Sequence, residues 1–339
     1  MKLLLLFLLF GFSAALGSRR GQRLLQYHHD PLDYIMIAWD AKMGTPAQYT
    51  MFLLDTLTTD TKVYTCAAES RFCFNYPDSE TYKQLTEHTA LDVMQDAKES
   101  TQDVAVNWVT FVAKPDLDVV VSGSIGLAPG GEVSYPGVNR TVDWFFKGLP
   151  HKAFAMYMGK AECTGGMQIG HLEQMCQWDN PGMKPLYLPT TSKKYWQIAV
   201  KEFELGGVRG PSAQVVIDTT TEYIGVPKKF LKEFTSKYRI PWDGLYGAYT
   251  VDCNSTSTLP DLNFHVDGGI LTIRAAQYIY TKNPLANGKC VLDMEDSKTY
   301  GFGPEWYFGV QIITDYCVTF DFEKMQMGFT VNTEAPLHC

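Results

Sequence analysis

Leu53-Leu54-Asp55-Thr56-Leu57-Thr58 and Val216-Ile217-Asp218-Thr219-Thr220-Thr221 read as two versions of one segment. Each ends an apolar, strand-like run with an aspartate and a threonine, and each lies in its own half of the 339-residue chain. A lone aspartate at a strand end is usually a cap or turn residue, and an isolated threonine is usually just a good strand residue. Two matching sites in two halves point instead to two similar lobes that face each other and bring two carboxyl groups together. Such a pair suits acid/base hydrolysis. Like charges at short range do not both ionise comfortably, so one carboxyl keeps its proton while the other serves as base. The two protons then belong to the pair rather than to either residue.

The sequence around the repeat has a β texture. Short apolar or alternating runs recur between Gly, Pro, Asn and Asp turns: 34–39, 49–54, 104–112, 119–121, 153–158, 196–203, 215–217, 269–273, 317–320 and 327–331. Many short strands with such turns predict barrels or sandwiches rather than a parallel α/β sheet. Helical signals are few. Residues 228–238 follow Pro227 and space Phe230, Leu231, Phe234 and Tyr238 along one face, predicting an amphipathic helix. Residues 142–147 predict a short helical turn. The Pro/Thr-rich stretch 181–192 precedes Tyr195-Trp196-Gln197-Ile198 and marks the boundary between the halves. The expected organisation is a signal peptide over 1–17, an N-terminal segment over 18–33, an N-terminal lobe over 34–190 and a C-terminal lobe over 191–339.

The signal reading rests on Lys2, the apolar run Leu3 to Phe10, and the small residues Ser13, Ala14, Ala15 and Gly17. That run is too short to span a bilayer. Removing it takes away Lys2 and no acid, leaving 28 Lys+Arg against 37 Asp+Glu. A mildly acidic chain without a concentrated basic run is a poor partner for nucleic acid or an anionic membrane. The expected location is outside the cell, with a lysosomal or other acidic compartment as the alternative. The 45% hydrophobic and 13% aromatic content is enough for a large core.

Eight cysteines, an even number, favour disulfides in a secreted chain. The spacings suggest Cys66 with Cys73, Cys163 with Cys176, Cys253 with Cys290 and Cys317 with Cys339, although spacing does not establish connectivity. No C-x-x-C or H-x-x-x-H spacing suggests zinc, and neither a metal nor a cofactor is expected. Asn139-Arg140-Thr141 and Asn254-Ser255-Thr256 are N-glycosylation acceptors.

The chain resembles the pepsin family of aspartic proteases over nearly its whole mature length. The segments that carry the likeness occur in the family's order. Met43-Gly44-Thr45-Pro46-Ala47-Gln48 resembles I-G-T-P-x-Q. Asp55-Thr56 and Asp218-Thr219 match the two D-T-G motifs. Gly123-Ser124-Ile125-Gly126-Leu127-Ala128 resembles the G-I-L-G-L-A brace of the first loop. Tyr195-Trp196-Gln197 resembles Y-W-Q. Leu259 to Phe264 resembles L-P-D-I-x-F, Trp306-Tyr307-Phe308-Gly309 resembles W-I-L-G, and Thr319-Phe320-Asp321 through Gly328-Phe329 resembles the final V-F-D…V-G-F strands. The resemblance implies a mainly β, pepsin-like, two-lobed fold with a peptide-binding cleft, and a monomer whose partner is a peptide or protein in that cleft. It implies Asp55 and Asp218 as the catalytic dyad. Thr56 and Thr219 would lock the loops by hydrogen bonds, and Thr58 and Thr221 would support the carboxylates. Cys66/Cys73 and Cys253/Cys290 fall where the family places disulfides.

The chain departs from that pattern in four places. Leu57 and Thr220 stand where both motifs have glycine, a residue that permits close backbone approach. The stretch Leu91 to Lys98, where the family carries a Tyr-Gly pair on a hairpin flap, has neither residue, and Gln95 falls near the tyrosine position. The segment between Gly17 and Met43 is short for a propeptide. Val310 replaces the aspartate that follows W-I-L-G. Two function classes result: an aspartic endopeptidase with slow or lost hydrolysis, and a secreted non-catalytic binding protein on the same scaffold.

Overall fold

The computed structural model describes residues 22–25, 38–66, 73–96, 107–115, 121–158, 165–172, 175–176, 182–281, 284–299 and 303–333. The signal peptide, His28-His29, Cys163 and Cys339 lie outside the described residues.

Each half builds its motif loop in the same way. In the N-terminal half, Gln48–Asp55 alternates buried Thr50, Phe52 and Leu54 with more open neighbours, which fits a strand with one face on a core. It pairs in parallel with Gly123–Gly126, placing Asp55 opposite Gly126. Gly123–Gly126 in turn pairs antiparallel with Thr61–Cys66. In the C-terminal half, Ala213–Ile217 pairs in parallel with Trp306–Phe308, placing Ile217 opposite Phe308. Trp306–Phe308 then pairs antiparallel with Ile224–Val226. The two arrangements share one topology, as the sequence repeat implies.

A continuous ladder joins the halves. Ala153–Met158 pairs with Gly165–Ile169 on one side and with Tyr316–Asp321 on the other. Tyr316–Asp321 pairs with Gln326–Val331, which pairs with Leu186–Pro189. Phe154 stacks on Phe320 with ring centroids 4.5 Å apart, and Trp196 meets Phe320 edge-on at 5.2 Å. The Trp196 indole N–H donates to Leu127 O at 2.7 Å. One buried cluster runs from Trp39 through these aromatics to Phe329.

The expected strands at 153–158 and 269–273 form with those bounds. The run at 34–39 lies at the start of a strand over Ala38–Met43, with 34–37 outside the described residues. Residues 119–120 of the run at 119–121 lie outside the described residues, and the strand that follows is Gly123–Gly126, which pairs beside the first motif. The predicted helices appear at Lys228–Lys237, burying Leu231 and Phe234, and at Thr141–Phe145.

The disulfides correct the pairing suggested by spacing. Cys66–Cys73 and Cys253–Cys290 form as expected. Cys176, however, bonds to Cys317 across 141 residues rather than to Cys163, so Cys317 does not pair with Cys339. The reason is the bridging ladder. Tyr316–Asp321 lies beside Ala153–Met158, which brings Cys317 into a small cluster with Ala153, Ala155 and Cys176.

Candidate active site

Asp55 ends its strand and is 6% exposed; Asp218 follows its strand and is also 6% exposed. The loops that carry them are tied together across the lobes. The Thr56 hydroxyl donates to Ile217 O at 2.7 Å, and the Thr219 hydroxyl donates to Leu54 O. The Thr56 N–H donates to Thr219 Oγ1 at 3.2 Å, and the Thr219 N–H donates to Thr56 Oγ1 at 3.1 Å. Both threonines are buried. Each hydroxyl therefore accepts one bond and donates one, and every polar group in the lattice is satisfied. Thr56 and Thr219 precede the aspartates' support residues by two positions, so fixing one pair fixes the other.

The carboxyl groups are held from below by their own loops. Asp55 Oδ1 accepts the N–H groups of Leu57 at 2.8 Å and Thr58 at 3.1 Å, and Oδ2 accepts the Thr58 hydroxyl at 2.6 Å. Asp218 Oδ1 accepts the Thr220 N–H at 2.9 Å and the Thr220 hydroxyl at 2.6 Å, and Oδ2 accepts the Thr221 hydroxyl at 2.9 Å. An ionised carboxylate has about four acceptor positions. Three are filled on each residue, and the remaining position lies on Oδ2 in both. Glycine in place of Thr220 would leave two of the four open on Asp218.

Leu57 and Thr220 thus sit differently. Leu57 is half-buried beside Asp55, whereas Thr220 is exposed yet turns its hydroxyl back onto its own aspartate. At both positions the backbone N–H reaches the carboxylate two residues before it.

The flanking glycines brace these loops. A Cβ at Gly126 would lie 2.6 Å from both Asp60 O and Thr58 O, and one at Gly309 would lie 2.4 Å from Thr221 O and 2.5 Å from Tyr223 O. Only a residue without a side chain admits this approach. Leu127 N–H and Ala128 N–H donate to Asp55 O and Thr58 O, and Val310 N–H donates to Thr221 O. Val310 is buried and continues the brace.

The stretch Leu91 to Asp96 forms part of the strand Thr89–Asp96, which makes a hairpin with Asn107–Pro115. Gln95 pairs with Lys42 on Ala38–Met43. Residues 97–106 lie outside the described residues. Asn139 and Asn254 are both exposed.

Two tyrosines that the motif reading did not single out stand near the second carboxyl. Burial raises the Tyr223 and Tyr307 hydroxyls above the ordinary phenol range, and the negative charge of Asp218 adds to both shifts. Tyr223 lies five residues past Asp218 and Tyr307 two before Gly309, so proximity to the two matched segments is the signal that would have found them.

The family described as eukaryotic aspartyl protease matches this chain over residues 38–332. Aspartic protease 1 of Caenorhabditis elegans is 26% identical over 355 aligned residues, covering 94% of this chain and 88% of that relative. Gastricsin of Callithrix jacchus is 24% identical over 341 residues, covering 90% of this chain and 84% of that relative. Aspartic protease 17 of C. elegans is 32% identical over a shorter stretch of 144 residues, covering 42% of this chain and 37% of that relative.

Proposed function

The chain belongs to the eukaryotic aspartyl protease family, and from that premise we propose that it binds extended peptides between its lobes and hydrolyses them slowly, with Asp55 and Asp218 as the catalytic pair. The observation that carries this reading is the cross-lobe lattice of Thr56 and Thr219, which holds both carboxyl loops in register although both motif glycines are gone.

In this mechanism the ionised member of the pair takes a proton from a water molecule as that water attacks the scissile carbonyl carbon. The protonated member then donates to the departing amide nitrogen, and the C–N bond breaks. Thr58 and Thr221 hold the outer oxygens in place while this exchange occurs. Holding the groups in position is itself a large share of the rate, and a shift of roughly 1 Å costs about a hundredfold. Leu57 and Thr220 reduce turnover in two ways. Leu57 adds bulk beside Asp55, and the Thr220 hydroxyl takes an acceptor position on Asp218 that water or the shared proton would otherwise use. The apolar N-terminus supports secretion, and the exposed Asn139 and Asn254 support glycosylation.

The test incubates the mature chain with an unfolded protein substrate across roughly pH 3 to 7, with and without pepstatin. Slow, pepstatin-sensitive cleavage is expected. No cleavage by the parent, and none by a Leu57→Gly/Thr220→Gly variant, would leave only the binding role.

A further inference from the structure

Just past the second motif loop the surface opens into a cavity of about 90 Å³. Several waters would fit, since one needs roughly 10–15 Å³ on the same measure. Its wall includes Glu222 and Tyr223 from the segment after Asp218, Tyr246 from the turn before Ala248–Asp252, Tyr280, and Asp293 and Glu295 from the segment Leu292 to Asp296. Four separate stretches of chain thus contribute three carboxyl groups and three phenol rings to one small space.

Asp293 is the informative member. It is partly buried, and it lines the cavity. Among the described residues no hydrogen-bond donor or cation pairs with its side chain. Its charged neighbours are Glu222 and Glu295, both of its own sign. Burial, then those two neighbours, hold its carboxyl well above the usual range. A partly buried acid beside two like charges gains from a cation placed next to it. Glu295 also lacks an ion pair among the described residues. Lys228, Lys232 and Lys298 line the next groove, which Glu295 also borders, and none of them pairs with it.

The cavity also borders the segment that carries Asp218, which Glu222 and Tyr223 follow by four and five residues. Tyr223 feels the charges of Glu295, Asp218 and Glu222, so it links the cavity to the second motif. We infer that this cavity is an acidic subsite that takes the cationic side chain, lysine or arginine, of a peptide lying in the cleft. Glu222 and Glu295 supply the counter-charge, the bound cation favours the ionised form of Asp293, and the faces of the tyrosine rings suit an ammonium or guanidinium group. This inference rests on the reading that peptides occupy the cleft.

The test scans lysine, norleucine or glutamate through each position of a set of fluorescent decapeptides and measures their binding to the mature chain by anisotropy at low salt. At one position lysine binds about tenfold or more tighter than norleucine, and glutamate binds more weakly than either. That ratio falls toward unity in Glu295→Gln and in Asp293→Asn, and glutamate becomes the preferred residue in Glu295→Lys. Each ratio is taken within one variant, so a change in the amount of folded protein does not move it. If norleucine and lysine peptides bind equally at every position, the subsite is wrong while the cleft reading stands. A lysine preference unaltered in all three variants also overturns it. If neither the peptides nor a labelled pepstatin binds, both readings fall together.

Discussion

Thr56 and Thr219 do at the residue scale what no single-lobe contact can do. Each hydroxyl donates to a carbonyl of the opposite loop and accepts that loop's N–H, in a setting from which water is excluded. Thr219→Val keeps the volume but leaves Leu54 O and the Thr56 N–H unsatisfied. It is expected to lower unfolding free energy by about 2–4 kcal/mol, read from denaturant midpoints. A loss below about half a kcal/mol would show that the lattice is dispensable. Both threonines were legible in the sequence because the repeat is local: four consecutive positions carry the aspartate, its threonine and the supporting threonine. Tyr223, Tyr307 and the acidic cavity were not, because their meaning depends on which distant segments come to lie beside them. Glu222 and Asp293 are 71 positions apart, by subtraction of their numbers, and nothing local to either announces the other.

At the scale of elements, each motif loop is pinned by a neighbouring strand whose terminal glycine lets two backbones approach. Gly309 shows this most sharply, because an added Cβ meets the backbone carbonyl oxygens of Thr221 and Tyr223 more closely than it meets the Gln311 side chain. Gly309→Ala is expected to cost about 3 kcal/mol of stability and to lower turnover in the same variant, since the displaced loop carries Asp218. Thermal denaturation together with a peptide cleavage assay checks both halves of the statement. An alanine variant of native stability would contradict the bracing role. The W-I-L-G-like segment was read from the sequence as a family marker, but its mechanical role emerges only from the parallel pairing of Trp306–Phe308 with Ala213–Ile217. Strand positions were legible from alternation, whereas the partner each strand takes, such as Gly123–Gly126 in parallel beside Gln48–Asp55, follows only from the assembled sheet.

Over the whole molecule, the ladder through Ala153–Met158 and Tyr316–Asp321 joins the halves into one body, and Cys176–Cys317 locks it covalently. Cysteine spacing favoured short loops. The long-range bond follows from sheet order, which is a property of the complete fold. Asp293 gives the molecule a pH dependence of definite sign. Its native carboxyl binds a proton more tightly than the ordinary value of 3.8, because of burial and its acidic neighbours. Its contribution is therefore full below that ordinary value and is lost as pH rises through the raised native value. Between about pH 4 and 7 the parent is expected to lose stability more steeply than Asp293→Asn, measured as urea midpoints at each pH. Equal slopes would mean that Asp293 does not titrate in this way.

The central claim is that Asp55 and Asp218 form a working pair whose rate Leu57 and Thr220 hold down. The most direct measurement is kcat/KM for one peptide with four proteins: the parent, Leu57→Gly/Thr220→Gly, and each with Asp218→Asn added. The account predicts that the glycine pair raises kcat/KM by about tenfold to a hundredfold, and that Asp218→Asn removes activity from both backgrounds. Activity that survives Asp218→Asn, or a glycine pair no faster than the parent, would contradict it.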